Sequence, residues 1–417
     1  MPASQLETQT YCSLEELETI REKWEELLAS YLLSTPFSTP EWLIPWWRSF
    51  GKSQELFVVA FFANGSQLVG LAPLSITRIR VGKMISLRLL RLMGDGSQDS
   101  DNLDLPVRPG FEDRFAASLL NLLERGRTRW DVAEFNTMPP DSPAGNGLRR
   151  LLMEKEWAVR EKNTPASRIS LPSTWEEYLQ LLSSEDRKNL ERYARRIEKR
   201  YATKMYRCSD EGQLTKCLEA MFAHHQARWE AAGERGSFGS IERRRFYYDL
   251  SRQLLKQGRL DLWAIELDGE VVAAQFGFRY ADKVFQLQEG NDPKHAADRV
   301  GFLLRGHVMK ELIAQGVRTY DFLGGELGYK AKWGARAEHY LNFRFAKPFT
   351  QGAAYLQAQS YAGRGKSWLR RNLPSGAWKI LHNTNVALKG RKTPLRENAP
   401  KEEKPSDQSA PNENEKR

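Results

Sequence analysis

The order of elements predicted for residues 260–324 constrains the fold more than any other feature of this chain. LDLWAIEL, VVAAQFGFRY and VFQLQEG are predicted as strands joined by turns at Asp268-Gly269 and Ala281-Asp282, which is typical of an antiparallel meander. A helix, FLLRGHVMKELIAQG, then leads to a fourth strand, TYDFLGG. Because a helical crossover returns the chain to the same edge of the sheet, we expect the fourth strand to lie parallel to VFQLQEG.

The first half of the chain has a similar order of predicted strands and helices. The two halves together predict an α+β fold with mixed central sheets flanked by helices. Residues 13–34 are predicted as one helix, with Ser13 and Glu16 in a capping-box pattern. The aromatic-rich TPEWLIPWW is predicted as a turn, and two strands meet at the Asn64-Gly65 hairpin. The other elements predicted here are the strand ISLRLLRLMG, the helix FEDRFAASLLNLLERG, the strand WDVAEFNTM and the helix GLRRLLMEKEW.

A strongly basic helix is predicted in SSEDRKNLERYARRIEKR, ahead of the meander. Its apolar residues recur on one face, and its cations lie away from that face. Three interpretations are open for the cations: a solvated face, contact with an anionic membrane surface, or binding of tRNA or an anionic glycan. The cations are Arg192, Arg195, Arg196, Lys199 and Arg200.

The net charge of +10 is concentrated near the C-terminus. Residues 361–396 carry +9 and residues 397–417 carry −2, so the residues before 361 carry only +3. This distribution argues against a nucleic-acid-binding fold, which needs a basic face on the folded part itself. Residues 349–396 are predicted as a basic, partly helical extension, and residues 397–417, poor in apolar side chains, as a disordered tail.

The sequence predicts no metal site and no disulfide framework. Cys12, Cys208 and Cys217 are scattered, and no CxxC or His-x-x-x-His spacing occurs. His224-His225 are neighbours on a predicted helix and point about 100° apart, so we expect one in the core and the other in solvent. The acidic GDGSQDSDN lacks the spacing of an EF-hand loop. It is predicted to be a solvated loop or a wall of an inter-domain cleft.

The N-terminal sequence indicates a cytoplasmic protein. MPASQLETQTYCSLEELETI has neither a basic start nor an apolar core, so no signal peptide is predicted. The longest apolar runs, such as Phe57–Phe62, are far too short to cross a bilayer. Peripheral contact of the basic tail with the inner membrane face is a hypothesis, suggested by Trp368, Leu369 and Trp378 among its cations.

The meander, the helix and the strand that follow residue 260 resemble the acyl-CoA-dependent N-acyltransferases of the GNAT superfamily. The resemblance rests on DLWAIELDGEVVAAQFGFRYADKVFQLQEGNDP, on VGFLLRGHVMKELIAQGVRTYDFLGGELGYKAKWGA and on the basic helix. In particular, the chain resembles the CelD/BcsL-type acetyltransferases associated with bacterial polysaccharide synthesis, and the related Fem-type peptidoglycan aminoacyltransferases. Both types have two such domains in tandem, which implies GNAT-like domains at residues 10–165 and 170–348.

The resemblance implies where an acyl-CoA donor lies. Its pantetheine is expected against VFQLQEG, which includes Gln288, and its pyrophosphate over the helix start at Val300-Gly301-Phe302, flanked by Arg299 and Arg305. A helix start offers free N–H groups and a favourable dipole for phosphate. A single glycine at a helix start, such as Gly301, more often serves packing or a turn than ligand binding. The sequence also departs from the superfamily's Q/R-x-x-G-x-G/A loop, since no second glycine follows, and Fem-type relatives, which use aminoacyl-tRNA, lack the full loop too.

Acyl transfer needs a base for the acceptor, a donor group for the oxyanion and an acid for the leaving thiolate. Glu289 at the end of VFQLQEG is the first candidate base and Glu326 the second, although either carboxylate also fits a solvated surface position. The resemblance implies that Tyr329 is the general acid and that Lys330 holds an oxyanion or a phosphate. The alternative for Tyr329 and Trp333 is packing at helical spacing.

The substrate cleft is expected at the end of TYDFLGG. Its predicted lining is Asp321, Gly324, Gly325 and Trp333, with a structural role favoured for Asp321. Together these features predict an acyltransferase that moves an acetyl or other acyl group from acyl-CoA to an amine or hydroxyl of a sugar or cell-envelope precursor. The alternatives are a Fem-like aminoacyltransferase that uses aminoacyl-tRNA, and a non-catalytic GNAT-fold scaffold in polysaccharide synthesis.

Overall fold

The computed structural model describes residues 6–82, 85–125, 130–234 and 236–372. The predicted disordered tail and the part of the basic extension beyond residue 372 lie outside these ranges. The α-helices are α1 (Leu14–Glu18), α2 (Arg21–Ser30), α3 (Pro40–Phe50), α4 (Glu112–Arg125), α5 (Pro143–Glu154), α6 (Trp175–Leu181), α7 (Ser184–Arg200), α8 (Glu211–Ala231), α9 (Ile241–Lys256), α10 (Val300–Ala314) and α11 (Gln351–Asn372).

Twelve strands of the described residues form a single sheet. They are β1 (Glu7–Tyr11), β2 (Gln54–Ala63), β3 (Gln67–Val81), β4 (Ile85–Leu92), β5 (Val132–Met138), β6 (Ala158–Ser170), β7 (Thr203–Arg207), β8 (Leu260–Leu267), β9 (Glu270–Tyr280), β10 (Lys283–Asn291), β11 (Thr319–Gly324) and β12 (Arg336–Ala346). The order across the sheet is β1-β2-β3-β4-β5-β12-β6-β11-β10-β9-β8-β7. The predicted α+β class with a mixed sheet flanked by helices is confirmed.

The two halves of the chain share this sheet because two strands cross between them. β6, which follows the helices of the first half, pairs antiparallel with β11 of the second half. β12, the last strand, pairs with both β5 and β6. The predicted domain ranges, 10–165 and 170–348, therefore meet inside β6. The end of β11 lies next to first-half residues as a result.

An apolar core also joins the halves. The ring of Trp42 on α3 lies 5.1 Å from that of Phe278 on β9, and Phe37 lies 6.0 Å from Phe285 on β10. Such edge and tilted ring pairs add to the stability that burial provides. A second core packs α10 and α7 against the opposite face, around Leu304, Val308 and Ile197. The position of β10 and β11 is thus fixed by packing on both faces.

The meander and its parallel neighbour form as expected. β8, β9 and β10 pair antiparallel in succession, and β10 pairs parallel with β11. The hairpin at Asn64-Gly65 joins β2 to β3 through a three-residue loop, 64–66, and Asn64 and Gly65 both have positive φ, which asparagine and glycine tolerate in tight turns. The capping box of Ser13 and Glu16 is also present.

Several predicted elements were wrong. The single helix predicted over residues 13–34 is two helices, α1 and α2, because the chain breaks at Thr19, whose hydroxyl donates to the Glu16 carbonyl at 2.6 Å. The predicted turn TPEWLIPWW belongs to α3, which begins with Pro40 at a position where a missing N–H costs nothing. Strands β1, β6 and β7 were not predicted, since their polar residues hide the alternation on which strand prediction depends.

Candidate active site

The parallel pairing of β10 with β11 stops before either strand ends, and we call the gap between the two strand ends the mouth. Parallel pairing joins Lys283 to Thr319 and Phe285 to Asp321. Beyond that point β10 bulges between Gln286 and Gln288, and β11 shifts its register against β6. A bulge bends its strand and re-aims side chains. Gln288 and Glu289 therefore line one side of the mouth, and the turn after β11 lines the other.

The start of α10 lies beside the end of β10 and has the features of an anion site. Arg299 adopts a left-handed conformation with φ of 55°, and the helix begins at Val300 without a side-chain cap. Uncapped N–H groups at the positive end of a helix dipole attract phosphate. A Cβ on Gly301 would lie 2.5 Å from Oδ1 of Asn291, so Gly301 also has the packing role that was its alternative interpretation.

Two arginines from different elements add positive charge at this helix start. Burial opposes ionisation of Tyr193, but a hydrogen bond from Arg299 and further contacts from Arg192 lower the pKa of its phenol below the ordinary value. Arg192 donates to the Tyr193 hydroxyl at 3.1 Å. A phenol with a lowered pKa reports a positive local potential. The helix start therefore favours an anionic ligand.

The basic helix α7 is attached to the same region through the buried carboxylate of Asp298. Arg200 donates to Oδ1 of Asp298 at 2.8 Å, and Arg196 lies 3.5 Å from it. The Tyr201 hydroxyl donates to Oδ2 at 3.3 Å. Arg196 and Arg200 are exposed, as a solvated face predicts, and they also pair with Asp298. Their pairing with Asp298 holds the loop that precedes α10.

Glu289, the first candidate base, contacts two arginines. Its carboxylate accepts a hydrogen bond from Arg305 and lies 3.9 Å from Arg228 on α8. Arg305 is only 5% exposed. Its guanidinium lies 5.2 to 5.6 Å from the ring centres of Phe322, Tyr329 and Trp333. Arg305 was predicted to bind the donor, but its position on the buried side of α10 gives it these interior partners instead of a phosphate at the helix start.

The groups around Arg305 stabilise its charged form. Burial by itself would lower the pKa of the guanidinium, but the Glu289 carboxylate raises it above its ordinary value. Cation–π contacts with the three rings add to this stabilisation. Arg305 is therefore a fixed cation beneath the mouth, and it holds Glu289 in place.

The turn Gly328–Trp333 brings Tyr329 and Lys330 to the opposite side of the mouth. Tyr329 is 37% exposed. Burial, and then the Glu289 charge, raise the pKa of its phenol above the ordinary value, so it keeps its proton at neutral pH. Lys330 is 7% exposed, and its Nζ lies 3.3 Å from the Gly324 carbonyl and 3.4 Å from the Phe322 carbonyl. A proton donor and a fixed cation thus flank the end of β11.

The other predicted residues of this region occupy different depths. Glu326 is exposed at the rim, and Trp333 is buried, with Phe302 of α10 4.9 Å from its ring. Asp321 is buried, and its Oδ1 accepts from the Leu323 N–H at 2.7 Å. That bond supports the left-handed conformation of Leu323, whose φ is 61°. The structural role favoured for Asp321 therefore has a definite basis in this turn.

The loop of residues 94–104 is the part of the site that sequence reasoning missed. The prediction of a solvated loop is wrong, because Asp99, Asp101 and Asp104 are each 2% exposed or less. Asp99 accepts from the Tyr247 hydroxyl at 3.0 Å, and Asp101 accepts from the Gly324 N–H at 2.9 Å. Buried carboxylates persist only where such donors satisfy them. The loop therefore contacts residues of the second half, and its role as a wall of an inter-domain cleft stays a prediction.

Asp104, at the end of this loop, gives a pH prediction for stability. Burial raises its pKa from 3.8 to about 6, although hydrogen bonds from Ser142 and Tyr31 oppose the shift. The folded state thus binds the proton more tightly than the unfolded state, so the free energy of unfolding falls as pH rises from about 4 to about 6. We expect this fall to be about 2–3 kcal/mol smaller in Asp104→Asn. Denaturant titrations at pH 4 and 7 measure the change in the free energy of unfolding for each protein. The same change in both proteins would contradict this prediction.

Within the described residues, no group of three or more His, Cys, Asp or Glu side chains is arranged to hold a metal ion. His225 is buried and accepts from the Trp229 indole at 3.1 Å, and burial lowers its pKa to about 3. His224 is half-buried, where its Nε2 lies 2.9 Å from the Val271 carbonyl. The expected core position of one histidine is correct, but the other is not simply in solvent. In the same ranges, no helix is long and apolar enough to cross a membrane.

Comparison with known proteins agrees with this geometry. Residues 184–331 match the family model described as an acetyltransferase (GNAT) domain. No curated protein matches the sequence. The structure of FemX is similar to this fold, with a TM-score of 0.54, 11% identity, and coverage of 84% of this chain and 99% of that chain. At this identity the likeness concerns the fold alone.

Two further solved structures are similar at lower TM-scores. A tandem GNAT protein from the clavulanic acid biosynthesis pathway has a TM-score of 0.41 and 12% identity, and covers 82% of this chain and 98% of that one. The C-terminal domain of a putative lysylphosphatidylglycerol synthetase from Agrobacterium fabrum has a TM-score of 0.45 and 12% identity, with coverage of 82% and 96%.

Proposed function

We propose that the GNAT acetyltransferase domain of this chain, residues 184–331, moves an acyl group from acyl-CoA to an amine or hydroxyl acceptor. One observation carries the proposal: the ends of β10 and β11 lie between a basic, uncapped helix start and the pair Tyr329 and Lys330. The helix start suits the donor's phosphates, and the mouth suits its thioester. The predicted donor contacts at Gln288, Arg299, Val300, Gly301 and Phe302 are part of this proposal.

The residues around the mouth supply the groups that acyl transfer needs. The acceptor attacks the thioester carbon, the C–S bond breaks, and the proton leaving the acceptor must be taken up while the thiolate gains one. Glu289 or Glu326 accepts the acceptor's proton, and Tyr329, which is protonated at neutral pH, donates to the thiolate. Lys330 stabilises the oxyanion of the intermediate, since a fixed buried cation needs no reorganisation during reaction.

The acceptor is proposed to be a sugar or a cell-envelope or polysaccharide precursor. This choice rests on the resemblance to the CelD/BcsL type, and it places the reaction in the cytoplasm near the inner membrane face. Under this proposal the cations of residues 361–396 hold the enzyme at that face. If the full chain and a chain that ends at residue 360 fractionate equally with membranes, the proposed membrane contact is contradicted.

A second candidate function is Fem-like transfer from aminoacyl-tRNA. The observation that favours it is the exposed row of Arg192, Arg195 and Lys199 on α7, which leads away from the helix start. Such a row would extend phosphate contacts beyond a single pyrophosphate. Without a second glycine at the helix start, the sequence fits this candidate and a non-catalytic scaffold as well.

Calorimetric titration with acetyl-CoA, desulfo-CoA and bulk tRNA tests these functions against each other. We expect acetyl-CoA to bind in the micromolar range, about −7 to −8 kcal/mol. Gly301→Glu should weaken binding about tenfold or more, because its Cβ meets Oδ1 of Asn291 and its carboxylate repels the phosphates at the helix start. Gly301→Gln has the same shape without the charge and is the matched control, so the difference between the two variants measures the repulsion. Binding heat with tRNA alone would favour the Fem-like function. No binding heat with any of the three ligands would favour the non-catalytic scaffold.

A further inference from the structure

We propose that Asp101, a residue of the first half, is a positioning residue that holds the turn Gly324-Gly325 of the active site. Its carboxylate is 2% exposed, and Oδ2 accepts the Gly324 N–H at 2.9 Å across 223 residues of sequence. The catalytic consequence rests on the proposed function, whereas the structural role does not.

The backbone N–H groups of this turn donate hydrogen bonds to acceptors in the first half of the chain. The Gly324 N–H donates to Asp101, and the Gly325 N–H donates to the Pro165 carbonyl at 2.8 Å. The Gly324 carbonyl faces Nζ of Lys330 at 3.3 Å. Both glycine N–H groups are therefore occupied by first-half acceptors, so the oxyanion role in the proposed function is given to Lys330, whose Nζ lies beside this turn. Asp101 fixes the strand end against which Lys330 is placed.

The same loop also reaches the donor side of the mouth. Asp99 accepts from the Tyr247 hydroxyl at 3.0 Å and lies 3.3 Å from Arg243. Tyr247 in turn contacts the side chain of Gln288 on β10. One short loop thus touches β10 through Asp99 and Tyr247, and β11 through Asp101. The loop therefore links the ends of both strands to the first half of the chain.

Hydrogen exchange at the turn tests the structural role directly. In Asp101→Ala the Gly324 amide loses a charged acceptor, and we expect peptides that contain it to exchange about 10- to 100-fold faster. Asp101→Asn keeps an amide oxygen as acceptor and should restore most of the protection. The matched control is Asp104→Ala, in the same loop, whose carboxylate accepts from Tyr31 and Ser142 of the first half. Unchanged exchange in Asp101→Ala, or equal acceleration in the control, would overturn the proposal.

Kinetics test the catalytic consequence. We expect Asp101→Ala to lower kcat about tenfold or more with little change in KM for the donor, since it loosens Lys330 rather than the helix start. Asp101→Asn keeps an acceptor for the Gly324 N–H and should restore most of kcat, while Asp104→Asn should leave kcat within about twofold of the wild-type value. An unchanged kcat in Asp101→Ala, or an equal loss of kcat in Asp104→Asn, would overturn this consequence.

If the wild-type protein neither binds acyl-CoA nor transfers acyl groups, the proposed function is refuted. The positioning role of Asp101 is not refuted by that result. In that case the exchange experiment alone decides whether Asp101 holds the turn. The two failures are therefore distinguishable in one set of variants.

Discussion

Lys330→Met should slow acyl transfer at least about 100-fold at saturating donor while donor affinity changes less than about threefold. Nζ of Lys330 is buried at the end of β11, near the carbonyls of Phe322 and Gly324 and 5.6 Å from the Phe322 ring centre. A preorganised cation in a water-poor site stabilises an oxyanion far more than it stabilises the neutral thioester. Its loss should therefore appear in kcat.

The matched control for this variant lies two residues away. Lys332 is exposed in the same turn, so Lys332→Met removes the same charge from the region without touching the mouth. Steady-state rates of thiol release, together with calorimetric donor affinities, separate kcat from binding. Equal losses in the two variants, or a loss confined to donor affinity, would contradict the role given to Lys330.

Arg305→Met should lower the free energy of unfolding by about 3–5 kcal/mol, the largest stability effect expected at this site. The substitution leaves the Glu289 carboxylate without its main partner and removes a cation from contact with Phe322, Tyr329 and Trp333. Denaturant unfolding of the variant measures the loss. Lys310→Met, an exposed change on the same helix, should cost less than about 0.5 kcal/mol.

A double-mutant cycle with Glu289→Gln identifies the cause of that loss. If the ion pair is responsible, the double variant should be more stable than the sum of the two single losses implies, by about 1–3 kcal/mol. Strict additivity would mean that Arg305 stabilises the protein through its aromatic contacts alone, and that Glu289 is free to act independently.

The second-half sheet was predictable because its signals are local. Asp268-Gly269 marks a two-residue turn, apolar alternation marks β8 to β10, and a helix between two strands requires a parallel crossover. Each of these patterns lies within about 30 residues of sequence. Gly324 and Gly325 likewise mark the end of β11, where the mouth opens.

The contribution of the first half to the site was not predictable for the opposite reason. GDGSQDSDN is polar and looks solvated, yet its carboxylates are buried because donors from Tyr247 and Gly324, far away in sequence, satisfy them. β6 is a strand because β11 and β12 pair on its two sides, although its residues lack a clear alternation. No local pattern contains such partners.

The turn after β11 shows how a small change in geometry alters a prediction. Helical spacing suggested that Tyr329 and Trp333 pack on one face. The segment is a 3₁₀ turn, in which residues three apart eclipse each other. Lys330 and Trp333 therefore share the buried side, and Tyr329 reaches the mouth.

A crystal structure with acetyl-CoA bound would test the central claim most directly. We expect the pyrophosphate at Val300–Phe302 and the thioester between Gln288 on β10 and Gly324 on β11, within reach of Tyr329 and Lys330. Donor bound elsewhere, for example in the open cleft of the first half beside Trp47, Arg48 and Lys52, would contradict the assignment of this mouth as the acyl-transfer site.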